Sequence, residues 1–205
     1  MVTSLIGQLP PGWRQVSLDE VCELRAGASV RSSVTGPIPL LKPRNVADGW
    51  LTENPDGISE AVAAGLSSYR LTAGDIVCVR TGGIGRRAMV SSEQDGWIFG
   101  NGIIRLRPGD AIDSSYLNHY LGHAVVRDWI ERNSSGTAVP SINLNTLAAM
   151  PVALPPLEVQ RSIGQVLDAL NEKIQVYEQI QRTTAQLRDA LLPLLMSGTT
   201  TVAEQ

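Results

Sequence analysis

The stretch from Leu157 to Leu192 contains no proline and one glycine, Gly164. Within it a seam recurs at Ile163, Leu167, Leu170, Ile174, Tyr177, Ile180, Thr184, Leu187 and Leu191. The steps of 4, 3, 4, 3, 3, 4, 3 and 4 residues form a heptad-like pattern with one irregular step at Tyr177 to Ile180. A helix over this stretch is about 54 Å long, more than a domain of this size can cover with its own body. The narrow seam is flanked by Glu172, Lys173, Glu178, Arg182 and Arg188. That pattern suits a coiled coil better than lengthwise packing on the helix's own domain, so the helix needs a partner. Pro193 is expected to end it, and residues 199–205 read as a flexible tail.

Upstream the texture changes. Residues 1–154 are a mosaic of short apolar runs separated by Gly, Pro and Ser, the pattern of a mixed α/β domain with long loops. The chain of 205 residues is 43% hydrophobic and 18% charged, which describes a globular protein and excludes a disordered or fibrous one. Ser17 three residues before Glu20 is a capping-box pattern that predicts a helix over Leu18 to Leu24. β-rich runs predict strands near 75–80, 87–92 and 102–107, so the glycine-rich "RTGGIGRRAM" joins two of them. Leu117, Leu121, Ala124 and Val125 predict a helix from Ser115 to Glu131. "INLNTLAAM" reads as a short helix or turn, followed by a strand at Val152–Leu154 and a rigid Pro155-Pro156 joint. The expected division is a globular domain over 1–154, a spacer helix over 155–198 and the tail.

The N-terminus has neither a basic n-region nor an apolar h-region, and no apolar run is long enough to cross a bilayer, so a cytoplasmic protein is expected. Cys22 and Cys78 stand alone in apolar surroundings and read as buried free thiols. His119 and His123 have a metal-compatible spacing, but the Glu of HExxH is absent and no third ligand presents itself, so no metal site is expected. "TGGIGRR" lacks the Lys-Ser/Thr of a P-loop, and the strand after it excludes a dinucleotide fingerprint. No nucleophile–His pair and no acidic cluster for two-metal phosphodiester chemistry stands out, and nothing in the sequence requires catalysis.

The net charge of −3 gives no global sign of nucleic-acid binding, but its distribution is uneven. Arg25 to Ala47 carries Arg25, Arg31, Lys42 and Arg44 without an acid, and Arg80 to Ser92 carries Arg80, Arg86 and Arg87, again without one. These runs are either ordinary solvated charge or two local polyanion surfaces.

The order of the pieces resolves the choice. "LPPGWRQVSLDEVCELRAG", "IPLLKPRNV", "LTAGDIVCVRTGGIGRRAMV", "GTAVPSINLNTLAAMPVALPPLEVQRSIGQVLDALNEKI" and "LRDALLPLLMSG" together resemble one half of a type I restriction-modification DNA specificity subunit, over nearly the whole chain. The resemblance implies a mixed α/β target recognition domain followed by a long coiled-coil spacer helix. It implies no catalysis by this chain: double-stranded DNA, methyltransferase subunits and restriction/translocase subunits are the partners, and S-adenosylmethionine, ATP and Mg belong to those subunits. The common form has two recognition domains and two helices, whereas this chain matches one of each. That departure implies a homodimer of antiparallel helices on a bipartite, palindromic target, unless a different half-subunit pairs with it. The alternative is a methyltransferase-binding adaptor or antagonist that does not read DNA.

On this reading Arg80, Arg86 and Arg87 address DNA, with Thr81, Gly82 and Gly83 allowing close approach of backbone. Arg31, Lys42 and Arg44 are further candidates for the DNA surface, and Asn45 or Asn101 could read adenine. Ser134, Ser135, Thr137 and Ser141 supply a third candidate loop, rich in hydroxyls that suit phosphate.

Overall fold

Ile103, Ile104, Arg105 and Leu106 are all buried, so both faces of the strand they form are covered and it must lie between two packing layers. The computed structural model describes residues 3–30, 36–52, 54–136 and 138–198. Arg31, Thr137 and the 199–205 segment lie outside the described residues.

In chain order the strands are β1 (Thr3–Ser4), β2 (Gly7–Gln8), β3 (Arg14–Ser17), β4 (Cys22–Ala26), β5 (Ile38–Leu41), β6 (Asp56–Ile58), β7 (Ile76–Val79), β8 (Arg87–Met89), β9 (Ile98–Phe99), β10 (Ile103–Pro108) and β11 (Pro151–Leu154). The helices are α1 (Leu18–Val21), α2 (Glu60–Ala64), α3 (Ser114–Gly122), α4 (Ala124–Arg132), α5 (Leu144–Ala148) and α6 (Leu157–Met196). An antiparallel sheet runs β4-β10-β7-β8, a mixed sheet β6-β5-β9 has β5 parallel to β9, and β11 pairs antiparallel with β3.

Alternation along β10 and β7 divides the core. Ile104, Leu106 and Ile76 face Leu117, Leu121, Val126 and Leu147 of the helices, while Ile103, Val77 and Val79 face Leu41 and Phe99 of the mixed sheet. Arg105 is buried in the middle, directly opposite Arg25. Such a like-charge pair is unfavourable. Glu23 offsets it: its Oε1 accepts from Arg105 Nη2 at 2.5 Å and lies 3.6 Å from Arg25 Nε. The rings of Phe99 and Tyr69 lie under the two guanidinium groups, 5.6 and 5.8 Å from their carbons. Burial pulls the Arg105 guanidinium pKa down from its usual value.

Three local expectations need correction. The capping box at Ser17 and Glu20 is present, but the helix stops after one turn because Cys22 to Ala26 are taken into β4 by pairing with β10. The helix expected over 115–131 is two helices: His123 leaves the helical conformation, its Nδ1 accepts from Val125 N at 3.3 Å, and α4 starts there. His119 thus lies within α3 and His123 at the break itself, so the two do not share one continuous helix. α6 does not end at Pro193 but continues to Met196. A proline this near the terminus removes a ladder hydrogen bond only in the last turns, and Ser197 N still donates to the Pro193 carbonyl at 3.1 Å.

The chain divides into two units, Met1–Gly164 and Gln165–Gln205. The first includes the opening turns of α6. Gln160 is buried there with its amide fully used: Nε2 donates to the Pro155 and Ala111 carbonyls at 2.8 and 3.2 Å, and Oε1 accepts from Asp113 N at 2.8 Å. A Cβ on Gly164 would stand 2.9 Å from Ser115 Oγ, so a side chain there would have to push Ser115 aside where α6 passes α3. Ile163, expected on the partner seam, packs instead on the first unit's own core. In the second unit Leu167 is half-buried, while Leu170, Ile174, Tyr177, Ile180 and Leu187 are each more than half exposed. Among the described residues no helix is long and apolar enough to cross a membrane.

Candidate nucleic-acid interface

β7 and β8 form the expected antiparallel hairpin, with Cys78 opposite Arg87 and Val79 N donating to the Arg86 carbonyl at 2.9 Å. The connection needs glycine: Gly83 has φ 136° and Gly85 φ 87°, and a Cβ on Gly83 would meet Arg86 Nη2 at 2.3 Å. Arg86 turns back across this loop. Its Nε, Nη2 and Nη1 donate to the carbonyls of Gly83, Gly82 and Val46 at 3.3, 3.1 and 2.9 Å. The guanidinium fixes the loop, and no carboxylate among the described residues neutralises its positive charge.

The structure brings most of the candidate residues into one cluster of loops. Arg80 N donates to the Gly102 carbonyl at 2.9 Å, and the Arg80 carbonyl accepts from Ile142 N at 3.0 Å. The side chain of Arg80 has no hydrogen bond or ion pair among the described residues. Thr81 pairs with Ser141 across a bridge, their hydroxyls 3.1 Å apart, and Ser141 pairs in turn with Ser135. Asn101 is exposed, and its Oδ1 accepts from Gly102 N at 2.9 Å, holding the turn that supports Arg80. Pro43 joins through Gly102, where a Cβ would stand 2.6 Å from the proline Cγ. Ser134 is at the edge of the same group, with its hydroxyl donating to the Ile130 carbonyl at 2.7 Å.

Other candidates occupy structural positions. Arg87 is not on the loop but inside: its Nε donates to the Asn118 carbonyl at 2.6 Å and its Nη1 pairs with Asp48. Gly122 makes room for it, since a Cβ there would fall 1.9 Å from Arg87 Nη2. Asn45 is buried, and its Oδ1 accepts from Lys42 N at 3.1 Å across the 3-10 turn Pro43–Asn45. Lys42 and Arg44 both pair with Asp56, the former at 2.6 Å.

Sequence reasoning missed Asp48, Asp56 and Arg127. Asp48 is held by Arg127 at 2.9 Å as well as by Arg87. Both aspartates follow the first acid-free run closely in sequence, and only the fold shows that they pair with Lys42, Arg44 and, from the second run, Arg87. Cys22 and Cys78 are free thiols, and burial pushes both up to about 12. Among the described residues no group of three or more His, Cys, Asp or Glu side chains could hold a metal ion. The cluster can hold an extended anionic partner through arginine, hydroxyls and backbone amides on one glycine-shaped loop system.

Residues 10–183 match the family described as the type I restriction modification DNA specificity domain. The chain is similar to the MjaIX type I restriction enzyme specificity subunit of Methanocaldococcus jannaschii, 22% identical over 96% of this chain and 46% of the relative. It is similar also to the EcoKI specificity subunit of Escherichia coli K12, 24% identical over 94% of this chain and 44% of that protein. Two solved structures share the fold. They are the HsdS subunit from Thermoanaerobacter tengcongensis, with TM-score 0.64 and 25% identity over 92% of this chain and 46% of that one, and the type I system S subunit from M. genitalium, with TM-score 0.67 and 15% identity over 96% and 49%. The chain spans about half the length of the curated relatives it matches. With mixed α/β layers, a long C-terminal helix and a family match over most of its length, the chain belongs to the type I restriction modification DNA specificity domain family.

Proposed function

We propose that this chain is a cytoplasmic, non-catalytic DNA-sequence reader. It directs adenine-N6 methyltransferase subunits, and with them an ATP-dependent restriction endonuclease, to a bipartite target in double-stranded DNA. The observation that carries the reading is the convergence of the glycine hairpin, the Asn101 turn and the Ser134–Ser141 loop, with Arg80 and Arg86 bearing charge that no carboxylate among the described residues neutralises. Arginine, hydroxyl and backbone N–H groups contact phosphates and set register, and side chains on the same loops read base edges. S-adenosylmethionine, ATP and Mg bind the partner subunits, where the target adenine is flipped out for methylation.

The exposed apolar residues of α6 support pairing with a second long helix, because a continuous apolar stripe left in water marks an interaction surface. A second copy running antiparallel covers it and presents two inverted half-sites, which makes the target palindromic. The internal pairing of Lys42, Arg44 and Arg87 favours a second reading, a methyltransferase-binding adaptor or antagonist without sequence reading. Selection of bound duplexes from a random-sequence library by the full chain separates the two. The reader enriches one motif and the adaptor enriches none.

A further inference from the structure

We propose that Glu131 reads the exocyclic amino group of one cytosine in the target, at an opening between the glycine hairpin and the loop after α4. The inference rests on the DNA-reading role proposed above. A cavity of about 300 Å³ opens there, lined by Gly83, Ile84, Glu131, Ser134 and Pro140. Glu131 is exposed in the last turn of α4, and its carboxylate has no hydrogen bond or ion pair among the described residues. Its neighbours are otherwise committed. Asp48, paired with Arg127 of the same helix, already holds two cations, and the Ser134 hydroxyl is donated to the Ile130 carbonyl.

A lone carboxylate facing a duplex is repelled by phosphates within a Debye length, so its presence in a DNA-reading site has to be offset by a donor. The major groove offers two amino donors, cytosine N4 and adenine N6. Adenine presents N6 beside the N7 acceptor, and an ionised carboxylate, which only accepts, meets that lone pair with its second oxygen. Cytosine presents N4 beside the C5–H edge, and the apolar side of this cavity, Ile84, matches it. Thymine O4 and guanine O6 would face Glu131 acceptor to acceptor, so the site rejects them as well as preferring cytosine.

The test is selection from a random-sequence duplex library by the full chain, wild type against Glu131→Gln and Glu131→Ala. Glu131 is exposed, so both variants keep the wild-type melting temperature. The wild type should show one position fixed as cytosine. Glu131→Gln, whose amide matches adenine N6 and N7, should cut that preference by roughly 5- to 150-fold and move it toward adenine. Glu131→Ala should relax the same position without a shift, and the rest of the motif should be unchanged in both. An unchanged motif in both variants overturns the inference, and so does a uniform gain in affinity for every sequence, the result expected from removing a repulsive charge alone. A wild type that selects no motif overturns the DNA-reading role itself, and the inference with it.

Discussion

Replacing Arg87 by alanine separates two roles that its place in an arginine-rich loop would confuse. Its side chain is 10% exposed, and Nε donates to a backbone carbonyl of α3, that of Asn118, at 2.6 Å. A buried hydrogen bond from a charged donor contributes about 1.5–3 kcal/mol. The pair with Asp48 adds less than about 1 kcal/mol, because that carboxylate is 43% exposed and water takes up its charge when the arginine is gone. Arg87→Ala should therefore destabilise the globular unit by about 2–4 kcal/mol and lower Tm by about 4–16 °C. Gly122→Ala should act in the same direction, since its Cβ would fall 1.9 Å from Arg87 Nη2. The assay is thermal unfolding followed by circular dichroism, with duplex selection repeated well below the lower Tm. Both variants should recover the wild-type motif there. A variant that melts like the wild type but no longer selects the motif would refute the reasoning and return Arg87 to the DNA surface.

Arg80→Ala removes a cation without a side-chain partner among the described residues, so stability should change by less than about 0.5 kcal/mol. If Arg80 meets a phosphate, the slope of log affinity against log salt should fall by about 1, read from a titration series at several salt concentrations. An unaltered slope and affinity would remove Arg80 from the interface. Ile174→Asp with Ile180→Asp places two charges on the exposed seam and should abolish self-association in sedimentation velocity while leaving the globular unit's melting unchanged. Burial raises the Cys22 and Cys78 thiols to about 12, which favours their protonated forms in the fold. Stability from this source is intact below the unfolded thiol pKa of about 8.5 and falls as pH rises from there toward the folded values. Iodoacetamide at pH 8 should accordingly label the unfolded chain and spare the native one.

The sequence carried the large features because each rests on a local rule. The proline-free seam, the β7–β8 hairpin around its glycines and the capping box at Ser17 depend on spacing within a few residues, and the structure contains all three. What was not legible depends on partners distant in sequence. Cys22 to Leu24 leave the expected helix because β10 pairs with them from some eighty residues away. The break at His123 had a faint signal in Gly122, a poor helix former, but the reason for that glycine is the Arg87 guanidinium brought over by β8. Charge misled for the same reason: a run without acids is positive only while no acid folds back on it, and Asp48 and Asp56 do. The charge of Arg86 stays uncompensated because its guanidinium bonds backbone carbonyls, and the Arg80 side chain has no ion pair among the described residues.

The central claim, that this chain supplies the address for a methyltransferase, is tested most directly by mapping N6-methyladenine across the genome of a methylation-free bacterial host that expresses the chain with the methyltransferase of its system. The account predicts new methylation confined to one interrupted motif whose two halves are inverted copies, with the gap set by the paired helices. An asymmetric motif would keep the reader and contradict the homodimer. A complex that assembles yet leaves the genome without any new methylated motif would contradict the claim itself.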